Sequence, residues 1–331
     1  MKNRFIRIIL SSLLLSGTVL AEHQGKLLKI NGHKLMVSEW STPSDSNHSV
    51  LLLSGPTDNW NSDSAWFARL APKLARNYRV LSIDRAGQQT DNPDAPVGYK
   101  QFGKDLAALI PRLDLDNLHI IAFASANLAL HKYFAEATPG QIKSITLIDP
   151  DVLLPYSMSR YRSDAKPFKD NLQKYLEYIA AGKYNQRAIQ KNDIELKHLK
   201  VLAGDDPDTD WDYLNKTFQS RLSISNLQNL FKEIARYDED LDAASKTQLP
   251  RNIPLIILDT DFEDAYIAKT EKDEDKAGLI QWKTEAASYY QQLAADSVKG
   301  QYIHLKTQEH LIPFSDPEQL LKIIQQQARN N

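Results

Sequence analysis

The feature that most constrains this chain is a series of short apolar runs, each stopping at a turn or an acidic residue. Val50-Leu51-Leu52-Leu53 ends in Ser54-Gly55-Pro56, residues 78–83 end before Asp84, and residues 145–148 end before Asp149-Pro150. Residues 118–122 and 255–258 read the same way. Runs of four to six residues without alternation are what strands buried on both faces look like, as in a parallel sheet under helices. Between them apolar residues recur at helical spacing: Trp66, Leu70 and Leu74, then Phe102, Leu106, Leu109 and Leu113, then 128–135. Strand and helix alternating with short links predict an α/β chain with a mostly parallel, doubly wound sheet. Ahead of it, the stretches 26–30 and 34–40 flank Asn31-Gly32, a dipeptide suited to a two-residue hairpin turn. The rhythm closes with a helix over 278–295, a strand over 302–305 and a helix over 317–327 that Ser315 or Asp316 can cap.

About a hundred residues interrupt this rhythm. From 151 to 250 no buried strand run occurs, whereas Leu172, Tyr175, Leu176 and Ile179 predict one amphipathic helix, capped by Asp170 and stopped near Gly182. Residues 222–234 form another. The expected organisation is a core of residues 22–150 and 251–331, with a helical cap of residues 151–250 inserted between two of its strands. Ligands in open parallel sheets lie beyond the carboxyl ends of the strands, so the cap should roof the pocket.

The first 21 residues read as a signal peptide. Lys2, Arg4 and Arg7 precede an apolar stretch over 8–20, and Ala21 offers a small residue for cleavage before Glu22. The stretch is too short for a membrane-spanning helix, which needs ~20 residues. The mature protein is therefore expected to be periplasmic or secreted, with no membrane span left after cleavage. Cysteine is absent, which removes disulfides, thiolate metal sites and a cysteine nucleophile together. The formal net charge of -2 gives no sign of a nucleic-acid partner. Asp206, Asp208, Asp210 and Asp212 alternate as in a calcium loop, but that loop would need Gly where Trp211 stands and Glu where Thr217 stands. The stretch reads as a solvated turn, and neither a metal site nor a cofactor is expected.

Taken in order, several stretches resemble the α/β-hydrolase fold superfamily over residues 25 to 328. Asn31-Gly32-His33-Lys34-Leu35 is similar to its opening hairpin, and Leu51-Leu52-Leu53-Ser54-Gly55 to the strand that normally ends in His-Gly. Residues 74–87, with Ser82-Ile83-Asp84-Arg85, resemble the next helix, strand and loop. Leu118-His119-Ile120-Ile121 leads into the position of the nucleophile elbow, and Ile148-Asp149-Pro150 and Glu309-His310-Leu311 complete the likeness. The resemblance implies a capped fold of the lipase, esterase and peptidase kind, with serine-type hydrolysis of esters or amides as its chemistry.

The elbow departs from the pattern. Members carry G-x-S-x-G, because the nucleophile sits at a strained strand-to-helix turn where bulky neighbours two residues away would clash. Here the stretch is Ala122-Phe123-Ala124-Ser125-Ala126-Asn127. With Ala124 at the apex the flanking positions are Ala122 and Ala126, both small; with Ser125 they are Phe123 and Asn127. Sterics favour Ala124, which cannot attack a carbonyl, and leave Ser125 to cap the following helix. Pro56 withholds an N–H from the loop that completes the family's oxyanion hole. His310 stands where the resemblance puts the general base, and counting from the strand 255–258 puts the orienting carboxylate at Glu263, with Asp264 and Asp261 beside it. Ser54 replaces the family's histidine, and without an elbow to present it, it is a poor alternative nucleophile. Ser54, Gly55, Phe123 and Leu311, next to these positions, are the expected ligand contacts. Three readings follow: a protein that binds a small molecule under its cap with hydrolysis weak or lost, a working serine hydrolase using Ser125, His310 and Glu263 or Asp264, or a purely interacting protein whose pocket is vestigial.

Overall fold

The structure, a computed structural model, describes residues 22–41, 47–57, 59–137 and 140–330. The segment read above as a signal peptide lies outside them. Asn31 and Gly32 turn the chain with φ of 48° and 90°, the left-handed pair that a two-residue hairpin requires. They join β1 (Glu22–Ile30) to β2 (His33–Ser41) in an antiparallel ladder. Six further strands follow: β3 (Ser49–Leu53), β4 (Arg79–Asp84), β5 (Leu118–Phe123), β6 (Ile142–Ile148), β7 (Leu255–Thr260) and β8 (Gln301–Leu305). The sheet order is β1-β2-β4-β3-β5-β6-β7-β8; β3 to β8 are mutually parallel, and β2 runs against both of its neighbours.

Strand alternation divides the core into two layers. Leu51 and Leu53 of β3 and Leu118, Ile120 and Ala122 of β5 join one apolar layer; Val50, Leu52, Ile121 and Phe123 join the other. Both layers are covered. α1 (Leu70–Leu74), α2 (Tyr99–Leu109) and α3 (Ala126–Glu136) follow β3, β4 and β5. The single helix expected over 65–74 is split, because residues 64–67 make a 3-10 turn before α1 begins.

Between β6 and β7 lie six helices: α4 (Pro155–Asp170), α5 (Leu172–Ala180), α6 (Asn185–Ala203), α7 (Trp211–Ser220), α8 (Ile224–Ala235) and α9 (Tyr237–Ala244). Periodicity pointed to α5 and α8 alone, since α4 and α6 are largely polar helices with few buried positions. Asp170 does not cap α5; it ends α4 and pairs with Lys166, while Gly182 at φ 71° stops α5 as expected of a glycine. The 206–212 stretch is not a solvated turn either. Asp206 pairs with Arg69 and Lys73, Asp208 with Lys73 and Arg76, and Asp210 caps α7 while accepting from Trp40 Nε1. Three basic side chains around α1 thus hold this loop against the core.

After β7 come α10 (Phe262–Lys269) and α11 (Asp273–Ala295), and after β8 the short α12 (Ile312–Ser315) and α13 (Pro317–Asn330). Asp316 accepts from the Gln319 amide at the start of α13. Among the described residues no helix is long and apolar enough to cross a membrane.

Candidate functional site

Sheet order reverses at β3, whose two neighbours β4 and β5 follow it to opposite sides. Such a switch point leaves a crevice beyond the strand ends, and the loops after β3 and β5 meet there. A Cβ added to Gly55 would stand 2.4 Å from Phe123 O and 2.6 Å from Ser125 N. Only glycine lets the two loops touch.

Ala124 links β5 to α3 with φ 48°, a left-handed conformation that costs a non-glycine residue energy and is held by its surroundings. Its amide donates to Ile148 O at 2.8 Å, which ties the turn to β6. Ser125 is the next residue, already helical at φ -59°. It stands at the N-cap of α3, yet its hydroxyl makes no capping bond, contrary to the expectation from sequence; it meets Tyr237 OH at 2.5 Å. On the opposite side Pro56 has no amide proton, and the Thr57 amide is bonded to Asn61 O.

His310 lies between two rings, stacked on Phe262 with centroids 4.2 Å apart and tilted against Phe123 at 4.8 Å. Among the described residues Asp149 brings a carboxylate oxygen 3.7 Å from its Nε2. Asp149 directly follows β6 at φ 43°, and Thr260 donates to it twice, from its amide and its hydroxyl, each at 2.7 Å. Burial raises its carboxyl well above the ordinary range despite those bonds. Glu263 and Asp264 part company in α10. Glu263 is buried, its Oε2 has no hydrogen-bond partner, and burial lifts its pKa to about 8. Asp264 turns outward to Lys283 Nζ at 2.7 Å, and Asp261 shares that lysine.

A second group of side chains was not singled out from sequence. Asp151 carries a chain of hydroxyls: Tyr237 OH donates to its Oδ2, and Ser125 Oγ reaches Tyr237. Asn127 in the first turn of α3 clamps the Asp151 main chain, accepting from its amide and donating to its carbonyl. Tyr237 is brought here by α9, whose Asp240 accepts from the Tyr99 and Lys100 amides and so caps α2. Burial lifts the Asp151 pKa to about 6, against the pull of the Tyr237 and Ser125 hydroxyls.

Ala124, Ser125, Asp149, Asp151 and His310 all line one cavity of about 620 Å³. Its walls come from Pro56, Thr57 and Trp60 after β3, from Arg160 and Tyr161 of α4, Tyr237 of α9, Phe262 and Tyr266 of α10, and Trp282 and Tyr290 of α11. Leu311 lies in an adjoining space of about 320 Å³ that shares Thr57, Phe262, Tyr266 and His310. Phe123 supports His310 and Gly55 supports the elbow, while Ser54 donates to Asp63 O at 2.8 Å. Among the described residues there is no group of side chains able to hold a metal ion.

Sheet order, the turn after β5 and the placement of His310 define an α/β-hydrolase. The profile of the Alpha/beta hydrolase family matches residues 50–323, and this chain belongs to that family. Over 91 residues it is 28% identical to a Synechocystis sp. protein whose name assigns it, provisionally, to the non-heme chloroperoxidases. That match covers 27% of this chain and 33% of the relative, so it spans about a third of the curated protein's length. Cfl2 of Burkholderia cenocepacia has a similar structure, with a TM-score of 0.58 at 18% identity, over 92% of this chain and 95% of that one. An alpha/beta hydrolase fold protein of Burkholderia ambifaria is similar at a TM-score of 0.57 and 19% identity, over 91% and 99% of the two chains. At these identities the likeness is one of fold.

Proposed function

We propose that this chain is an exported α/β-hydrolase-family protein that holds a small organic molecule in the cavity between its elbow and the inserted helices, with serine-type hydrolysis weak or lost. The observation that carries the reading is the left-handed φ of Ala124, which gives the apex of the turn a methyl group where a nucleophile would stand. Loss of a nucleophile alone can cost on the order of 10⁶ in rate. The oxyanion site is weakened as well, since Pro56 has no N–H and the Thr57 amide is engaged; removing one such donor typically costs ~10²–10³. Ser125 shares its hydroxyl with Tyr237, whose own proton goes to Asp151, and it is not the residue at the apex of the turn. Burial holds the Tyr237 phenol well above its ordinary pKa, which keeps it from serving as a base for Ser125. Export rests on the basic and apolar pattern of residues 1–21.

The test is labelling with a fluorophosphonate. The natural protein should not label, and Ser125→Ala should change nothing. Ala124→Ser should restore partial labelling, because Ala122 and Ala126 leave room for the turn and His310 is close at hand. Strong labelling of the natural protein that disappears in Ser125→Ala would establish a serine hydrolase instead.

A further inference from the structure

We infer that the molecule held in this cavity is an organic cation, an amine whose ammonium group lies against Asp151 among aromatic rings. The inference rests on the small-ligand reading of the same cavity and adds a charge and a shape to it.

Asp151 is a carboxyl group at a mostly buried position, with its open side on the cavity. Among the described residues no Lys, Arg or His forms an ion pair with it; its partners are the Tyr237 phenol and the Ser125 hydroxyl, which also meets Tyr237. The basic groups that line the cavity, His310, Arg160 and Lys269, are engaged elsewhere or exposed. His310 faces Asp149 between two rings. Arg160 sits over the Trp282 ring at 5.1 Å, and its charge is felt by Asp164. Lys269 is exposed at the end of α10. A carboxylate removed from water without a counter-charge is costly, and a ligand cation would supply that charge.

The hydroxyl chain points the same way. Tyr237 has one proton, which goes to Asp151, so its oxygen accepts the Ser125 proton. The lone pairs of Ser125 and the second oxygen of Asp151 remain, and all of them accept. A ligand must therefore bring the donors, and an ammonium group brings up to three. Around the floor, Trp60, Tyr237, Tyr161 and Trp282 follow one another edge to face, at centroid distances of 6.1, 6.4 and 6.1 Å. Ring faces attract cations, and Trp282 already carries the guanidinium of Arg160. An anionic ligand would instead meet the Asp151 carboxylate. The volume, about 620 Å³, suits a molecule of drug size rather than a metal ion.

Calorimetric titration of the full protein at pH 7.5 with three probes of one shape tests this: 2-phenylethylammonium, 2-phenylethanol and 3-phenylpropanoate. The ammonium probe should bind about tenfold or more tighter than the alcohol, with the carboxylate weakest. Asp151→Asn, which keeps an acceptor for Tyr237, should remove the advantage of the ammonium probe over the alcohol. Equal or tighter binding of the alcohol or the carboxylate overturns the inference, as does a preference that survives Asp151→Asn, or failure of the ammonium probe to bind. If that variant does not fold, the ranking on the natural protein decides. Labelling of the natural protein by the phosphonate would sink the non-hydrolytic reading and leave this ranking standing, so the two failures can be told apart.

Discussion

Two buried polar regions join the inserted helices to the sheet, and they are built on opposite principles. In the first, Arg85 after β4 makes a two-point contact with Glu233 of α8, at 2.6 and 3.0 Å, and lies over the Tyr99 ring at 4.2 Å. Beside it Arg221 binds both oxygens of Asp63 at 2.5 and 2.8 Å and also reaches Glu195 at 2.7 Å. Each guanidinium there has a carboxylate. In the second region Asp149, Asp151 and Glu263 meet hydroxyls, one amide and one histidine, with no arginine or lysine ion pair among the described residues. The first fastens one part of the chain to another. The second has no such fastening, which is the arrangement that the proposed ligand site requires.

Removing one partner should expose this difference most sharply. Glu233→Ala leaves Arg85 buried without its counter-charge, and such a break typically costs ~3–5 kcal/mol; urea denaturation should show a loss of that size. Asp151→Asn removes a carboxylate that has no ion pair, and the same measurement should move by less than about 1 kcal/mol in either direction. Similar losses for both would erase the distinction. Leu52→Ala supplies the scale from the apolar core between them. Leu52 has no exposed surface, and the cavity left by truncation should cost ~2–5 kcal/mol.

A pH experiment sharpens the comparison further. Glu263 has a folded pKa of about 8 against an ordinary 4.5, because of burial first. Between those values the unfolded chain has released this proton and the folded chain keeps it. Its contribution to stability is thus complete at pH below 4.5 and is lost as pH rises toward about 8. Glu263→Gln should remove that dependence, so the stability difference between variant and natural protein should grow in the variant's favour from pH 5 to pH 8, by on the order of 1–3 kcal/mol. A difference that stays constant across the range would mean that Glu263 is ionised throughout. A modest effect is expected of Tyr237→Phe. It removes one neutral hydroxyl from Asp151, worth about 0.5–1.5 kcal/mol, and should raise the affinity for the ammonium probe slightly.

The sheet was legible because buried strands cannot disguise themselves. Val50-Leu51-Leu52-Leu53 has no polar residue to place outside, and it became β3 with every side chain covered. Counting along β5 leads to Ala124, and the left-handed φ falls on that residue because Ala122 and Ala126 are small enough to flank a sharp turn. The acids after β7 were less readable. Glu263 and Asp264 are adjacent in sequence, and a helix turns adjacent side chains about 100° apart, so one is buried and the other meets Lys283. No spacing in the sequence says which.

The sequence by itself determined the alternation of strand and helix, the hairpin at Asn31-Gly32, the large insertion before β7 and the alanine at the turn after β5. Each of these depends on residues close together in the chain, where apolar periodicity, turn chemistry and side-chain size act directly. Tertiary structure alone decided that Asp149, from β6, and not an acid after β7, lies near His310. It also decided that α9 lowers Tyr237 onto Ser125 and Asp151, residues 112 and 86 positions away. Those contacts follow from sheet order and helix docking, which bring distant segments together and leave no periodic trace in either segment.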